Sequence, residues 1–408
     1  MISSKLNPNL LPKQVGGLKA ERTFHRVTFT PSSAKPGETL YVGVPRLTDN
    51  LVLVPGTLAL RFDLAVQPDT ADTRYVVNNV GRNLVSKMRI KFAGESLLDL
   101  NRYDLYTTYK DLWLTAFDRA QKIEQGIASE AIRKVRSATS SASGEDEIKT
   151  AYGTKYLIPL DFEVITNHGA YYPRQLSELQ FEITLADTTN ILQGKDVSSG
   201  GVHPYSITNL ELQYETVYSE DIARSAGMEY SAGKAFLYDH VVMYKTFSFT
   251  NNVEEVINQS INIPRRSLTG LMLLFAKTYT AGLRDSEAFF NPNITNVGVN
   301  INGVPNKVYS QGIKPEDMYR EAMQKFGDQI APKEFFTDKY ALWIDMRTTN
   351  DESMHGQGLR LVNTQDGITL EIKRTKHASD TTKINCYIFV VSDAQLSVEM
   401  NQLKSVAY

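Results

Sequence analysis

Six short blocks of this 408-residue sequence occur twice, in the same order. "TKYLIPLDF" (Thr154–Phe162) is echoed by "DKYALWIDM" (Asp338–Met346). "VGVPR" (Val42–Arg46) is echoed by "INIPR" (Ile261–Arg265), and "TLALRFDLA" by "TGLMLLFAK", which matches Leu58 to Leu271 and Phe62 to Phe275. "KMRIKFAGE" pairs with "NVGVNINGV" through Gly94 and Gly303, "LQFEITL" with "ITLEIKR" through Phe181 and Leu370, and "LELQYETVYSED" with "INCYIFVVSDAQ". Alternating strands look alike, so the conserved order carries the argument. The shifts are 219, 213 and 209 residues before a Tyr-bearing helix and 184, 189 and 174 after it. One insertion in the first half, "KIEQGIASEAIRKVRSATSSASGEDE", accounts for the drop. A period this long means two domains and not a solenoid.

The blocks are short, alternate apolar with polar residues, and end at Pro, Gly or Asn, which is the pattern of half-buried strands. Each half carries about eight of them. The expected fold is therefore all-β: two tandem eight-stranded jelly-roll sandwiches with short inserted helices. The expected division is an N-terminal arm over 1–20, a first sandwich over 21–220 with a helical and Ser-rich insertion at about 103–150, a connector over 221–238, and a second sandwich over 239–408. Tyr103, Tyr106 and Tyr109 fall at helical spacing, and "KIEQGIASEAIRKVRS" also reads as helix, weakened by Gly126. "KPEDMYREAMQKFG" has Pro315 at its start, acidic residues in its first turn and Gly327 at its end, so it predicts a helix.

Little in the sequence suggests chemistry. His25, His168, His203, His240, His355 and His377 show no paired metal spacing. Cys386 is the one cysteine and lies in an apolar strand, a poor place for a reactive thiolate. "GQG" at 356–358 lacks the Lys-Ser/Thr of a phosphate loop, and no Gly-x-Ser-x-Gly elbow occurs. "GEDE" and "NDES" lack the spaced ligands of a calcium loop. Asp161 and Asp345 recur at equivalent strand ends, which suits capping of a loop or pairing with Arg better than a carboxylate pair across one cleft. The two N-glycosylation sequons, at Asn258 and Asn293, stand without an apolar leader, and no apolar run reaches the roughly 20 residues of a membrane span. No catalytic residue, metal ligand, cofactor or small-molecule substrate is expected.

Two segments are candidate contacts. The arm carries Lys5, Lys13, Lys19 and Arg22 with little acid, and reads either as a terminus without a partner or as an inner-face arm against a neighbour, DNA or a membrane. Ser140, Ser141, Glu145, Asp146 and Glu147 mark a candidate exposed loop. A net charge of −2 excludes a nucleic-acid-binding surface over the whole chain.

With two tandem sandwiches, a helix in each, and the phrases "YLIPLDFEVITNHGAYYP", "LSELQFEITLAD" and "NLELQYETVYSEDIA", the sequence resembles double jelly-roll major capsid proteins, most of all those of Polinton/adintovirus elements and virophages. The resemblance covers roughly residues 22–400. It implies a structural protein that forms a pseudo-hexameric homotrimer and tiles an icosahedral shell of a double-stranded DNA virus, with penton and minor capsid proteins as further partners. It implies a place in the virion capsid after assembly inside a host cell. The alternatives are a tandem β-sandwich carbohydrate-binding or adhesin-like module and a sandwich-fold hydrolase.

Overall fold

The computed structural model describes residues 19–44, 47–48, 50–66, 75–137, 146–161, 172–173, 178–194, 205–278, 284–349, 355–362 and 367–408. Among the described residues, sixteen of the 22 strands form two equivalent sandwiches, and the others are short additions to them. The first uses β1 (Glu21–Thr28), β2 (Thr39–Gly43), β3 (Ala59–Val66), β4 (Val85–Phe92), β5 (Glu95–Asn101), β6 (Lys155–Pro159), β7 (Leu179–Leu185) and β8 (Tyr205–Tyr218). The second uses β9 (Lys234–Thr250), β10 (Glu255–Ile261), β11 (Arg265–Lys277), β12 (Ile294–Ile301), β13 (Val304–Pro305), β14 (Ala341–Asp345), β15 (Ile368–Arg374) and β16 (Lys383–Glu399).

The sheet orders are β1-β8-β3-β6 and β2-β7-β4-β5 in the first, and β9-β16-β11-β14 and β10-β15-β12-β13 in the second. Adding eight to each label turns one sandwich into the other. The chain crosses between sheets at every connection except the β4–β5 and β12–β13 hairpins. This is the jelly-roll winding, present twice.

The matched residues explain why. Both hairpins turn through two residues of positive φ, Ala93–Gly94 and Asn302–Gly303, the geometry that fits the twist of a two-residue hairpin. Phe62 opposes Tyr156 across β3 and β6, with ring centroids 6.4 Å apart. The corresponding Phe275 and Tyr340 lie 5.9 Å apart in the second sandwich. Along β7 the apolar residues Leu179, Phe181, Ile183 and Leu185 all face inward. Leu160 and Ile344 are buried beside these pairs.

The longest helices of the described residues are α1 (Tyr103–Leu112), α2 (Glu220–Ala232) and α3 (Pro315–Phe326). In α3 the Asp317 carboxylate accepts from the Lys314 N–H, and Gly327 leaves the helix at φ 123°. α2 occupies the segment read as connector, and β9 begins inside that segment at Lys234.

The insertion is helical in separate pieces. Helices span Ala116–Gln121, Glu130–Arg136 and Asp146–Tyr152, and Gly126 at φ 93° sits in the break between the first two. A Cβ there would lie 2.6 Å from Val80, so only glycine fits. Ser137 is buried, and Asp146 and Glu147 begin a helix where a loop was expected; Ser140, Ser141 and Glu145 lie outside the described residues. The insertion is pinned by Arg136, 1% exposed, whose guanidinium donates to the carbonyls of Ile123, Gly153 and Lys155 and stacks on Tyr156.

Candidate functional site: the seam between the sandwiches

α1 is polar in sequence, "YDLYTTYKDL", yet nine of its ten residues are buried, all but Lys110. It lies between the sandwiches and packs both ways. Toward the second sandwich its aromatics meet the outer face of the β9-β16-β11-β14 sheet and the end of α3. Tyr106 lies 5.6 Å from Phe389, and Tyr109 lies 5.1 Å from Phe289 and 5.4 Å from Phe326. Both tryptophans join this cluster: Trp113 is 6.1 Å and Trp343 5.7 Å from Phe326. Edge-to-face and offset geometries at these separations are attractive beyond the area they bury.

Each buried polar group of α1 has a partner, as burial requires. Asp111 accepts from Asn79, Arg82 and Gln125. Thr107 donates back to the Tyr103 carbonyl, and Thr108 accepts from Asn83. Asp104 accepts both arms of Arg102 and a third bond from Arg284 of the second sandwich at 3.2 Å. Burial alone would raise the Asp104 carboxyl, but Arg102 and then Arg284 hold it below its ordinary value. Further bonds cross the seam: Tyr238 hydroxyl to the Leu97 carbonyl, Ser286 to Asn78, Arg119 to Glu287, and Tyr408 hydroxyl to the Ser96 carbonyl. β9 lies along β5 at this contact, and one apolar core runs through both sandwiches.

Asp161 and Asp345 each pair with an arginine. Arg82 grips Asp161 through two bonds of 2.7 and 2.6 Å, and Arg347 grips Asp345 at 2.6 to 3.0 Å. The arginines come from different places in the two sandwiches, so the shared Asp is structural. A cavity of about 270 Å³ opens beside Arg82, but the cations Arg82, Lys110 and Lys122 on its wall are matched by Asp111, Asp161 and Asp239.

The arm residues Lys5 and Lys13 lie outside the described residues, as do His168 and His203. Lys19 is exposed. Arg22 is on β1, where it pairs with Glu215 of β8 at 2.5 Å. It is spent inside its own sheet, and a pair this exposed adds little stability. Among the described residues no group of three or more His, Cys, Asp or Glu could hold a metal. His25 bonds Thr216, His355 pairs with Asp393 at 3.3 Å, and His377 reaches the Asn291 carbonyl. Cys386 is fully buried, which raises its thiol well above the ordinary range. No helix of the described residues is long and apolar enough to cross a membrane.

The fold is the double jelly roll. No protein-family model matches the sequence, and no curated protein sequence is similar to it. Solved structures are. PBCV-1 VP54, as fitted into a reconstruction of the virophage Sputnik, superposes with a TM-score of 0.65 at 10% identity, over 97% of this chain and 99% of that one. The structure of the Sputnik virophage gives 0.58 at 10% identity, over 97% and 89%. The mavirus major capsid protein gives 0.55 at 11% identity, over 94% and 89%.

Proposed function

We propose that this chain is a major capsid protein, a structural building block and not an enzyme, which self-associates as a homotrimer of pseudo-hexagonal outline. The supporting observation is an asymmetry between equivalent surfaces. Inside the chain, β5 of the first sandwich covers β9 of the second. The equivalents of these two strands are β13 and β1, and both are open. All eight residues of β1 are exposed or half-exposed, with Phe24 at 48% and Val27 at 46%. On β13 Val304 is 63% exposed, and just beyond it Val308 is 73% exposed. Repeating the internal contact between chains would set β13 of one copy against β1 of the next. Such a head-to-tail contact closes into a ring when the rotation allows, and three chains of two sandwiches give six similar units. It would also satisfy an edge strand that otherwise invites uncontrolled pairing.

On this reading the trimers tile an icosahedral shell of a double-stranded DNA virus of virophage or Polinton/adintovirus type, beside penton and minor capsid proteins, after assembly in a host cell. The basic arm of Lys5, Lys13 and Lys19 faces a neighbour, DNA or an internal membrane, without Arg22, which pairs with Glu215 in its own sheet, and the loop around Ser140 and Glu145 is exposed on the particle. Light scattering on the purified chain tests the core of this: the mass should be three times 45.8 kDa. Phe24→Asp and Val304→Asp should each give a folded monomer. A wild-type monomer would defeat the reading, and trimers that survive both substitutions would defeat the β13–β1 contact.

A further inference from the structure

At the start of α1 a second cavity, of about 190 Å³, opens on the seam, with a lining that includes Arg102, Lys277, Thr278, Arg284, Asn385 and Tyr387. Its walls come from both sandwiches. Three cations converge there, and their carboxylates are shared. Asp104 serves Arg102 and Arg284 together. Asp380 serves Lys277 at 3.1 Å while also accepting from Asn251 and Thr382. Asp285 is exposed at the rim and accepts from the Glu287 N–H.

Counting donors against partners among the described residues shows what is left over. A guanidinium has five N–H groups. Arg102 spends three, two on Asp104 and one on the Tyr387 hydroxyl at 2.9 Å, and keeps two. Lys277 spends one of its three on Asp380. The Tyr387 hydroxyl accepts from Arg102, and the Thr278 hydroxyl accepts from Asn385 at 3.2 Å, so each keeps its own proton to donate. Asn385 keeps its second amide hydrogen. Burial pulls the Arg284 guanidinium below its ordinary range against an opposing pull from Asp104, and Arg102 adds to the lowering; Arg284 itself is bonded to Asp104, Asn190 and Asn83. A compact group with several acceptors and a negative charge suits this wall well.

We infer that this cavity binds a small oxyanion of the phosphate or sulfate class, which bridges Arg102 of the first sandwich to Lys277, Thr278 and Tyr387 of the second. At about 30 Å³ per water, the space holds such an anion with a few waters. The bound anion clamps the seam at the end of α1 opposite the tryptophan cluster. The site does not depend on what the chain assembles into.

The test titrates the full chain with inorganic phosphate, sulfate and deoxyadenosine monophosphate, each against chloride at equal ionic strength. Calorimetry should show saturable binding of one anion per chain, with a rise in Tm of roughly 2 °C at tenfold excess over Kd. Lys277→Gln and Thr278→Val should each weaken binding by about tenfold, with Tm in chloride within about 1 °C of the parent. Comparable binding of phosphate and sulfate assigns a free oxyanion. Binding at least tenfold tighter for the nucleotide assigns its phosphate group as the source. No saturable binding of any of the three overturns the proposal, as does binding unchanged in both variants; should either variant misfold, the wild-type titration decides.

Discussion

Tyr109→Ala tests whether the seam unites the sandwiches. Tyr109 is 0% exposed and touches Phe289, Phe326 and Trp113 with its ring, while its hydroxyl donates to the Lys339 carbonyl at 3.3 Å. Truncating a buried aromatic to alanine costs about 3–5 kcal/mol. The ring contacts lie inside that figure and do not add to it. Alanine favours the helix by about 0.5 kcal/mol, which leaves a loss of about 3–4 kcal/mol. Domains have about 5–15 kcal/mol in all, so the contact between sandwiches should fail before either sandwich does. Tyr109→Phe removes only a long hydrogen bond and should cost about 1 kcal/mol or less. Urea unfolding followed by tryptophan fluorescence reports the seam, since Trp113 and Trp343 both stand in it, and far-UV circular dichroism reports the sheets. The two curves should coincide for the parent and for Tyr109→Phe, and fluorescence should change first in Tyr109→Ala. A Tyr109→Ala chain within about 1 kcal/mol of the parent, with coincident curves, would refute this account of the seam.

Three further outcomes rest on single sites. A Cβ on Gly270 would lie 2.2 Å from Trp343 Cζ2, and that indole is fully buried, so Gly270→Ala should cost about 1–3 kcal/mol by overpacking and much less beside Trp343→Leu; thermal melts of the double-mutant cycle check it. Arg136→Lys keeps the charge but cannot reach three carbonyls and the face of Tyr156, so it should lower the urea midpoint by an amount worth about 2 kcal/mol or more. Burial, then Arg265, lower the pKa of His240 from 6.5 to about 3 against a smaller opposing pull from Asp99. Its proton therefore binds the unfolded chain more readily, so its contribution is complete above pH 6.5 and is lost as pH falls toward 3. The slope is about 1.4 kcal/mol per pH unit, and urea midpoints at pH 7, 6 and 5 should lose that part of the slope in His240→Phe.

The sandwiches were legible because the same side chains do the same work twice. Phe62 with Tyr156 and Phe275 with Tyr340 mark a shared cross-strand pair, and Gly94 and Gly303 mark a shared hairpin. The match of Val42 to Ile261 is offset by two from the ladder, where Val42 faces Phe181 and Gln259 faces the equivalent Leu370. A slip of two keeps each side chain on its own face, so an apolar pattern cannot detect it. The seam was not legible. The spacing of Tyr103, Tyr106 and Tyr109 announced a helix, but apart from Arg102 the partners that let its Asp104 and Asp111 be buried come from positions 79, 82, 125 and 284. Local sequence says nothing of such long-range pairs. The pairing of Asp161 with Arg82 was hidden for the same reason, although an Arg partner was among the roles expected of it.

The longest apolar run in the chain, "LTGLMLLFA", now has a cause. β11 is buried without interruption from Ser267 to Phe275, whereas its equivalent β3 alternates, with Arg61 and Asp63 on its outer face. A strand covered on both faces has no need of polar alternation. Leu271, Leu273 and Phe275 fill the interior of the second sandwich, while Met272 sits with Phe389 and Trp343 on the face that α1 and α3 cover. The two copies thus diverged according to what each sheet touches inside the chain. The same logic applies to the edges: β9 is largely buried where β5 lies along it, and β1, its equivalent, keeps Phe24 and Val27 in the open. Burial that is satisfied in one copy and missing in the other is the physical argument for a neighbouring chain at β1.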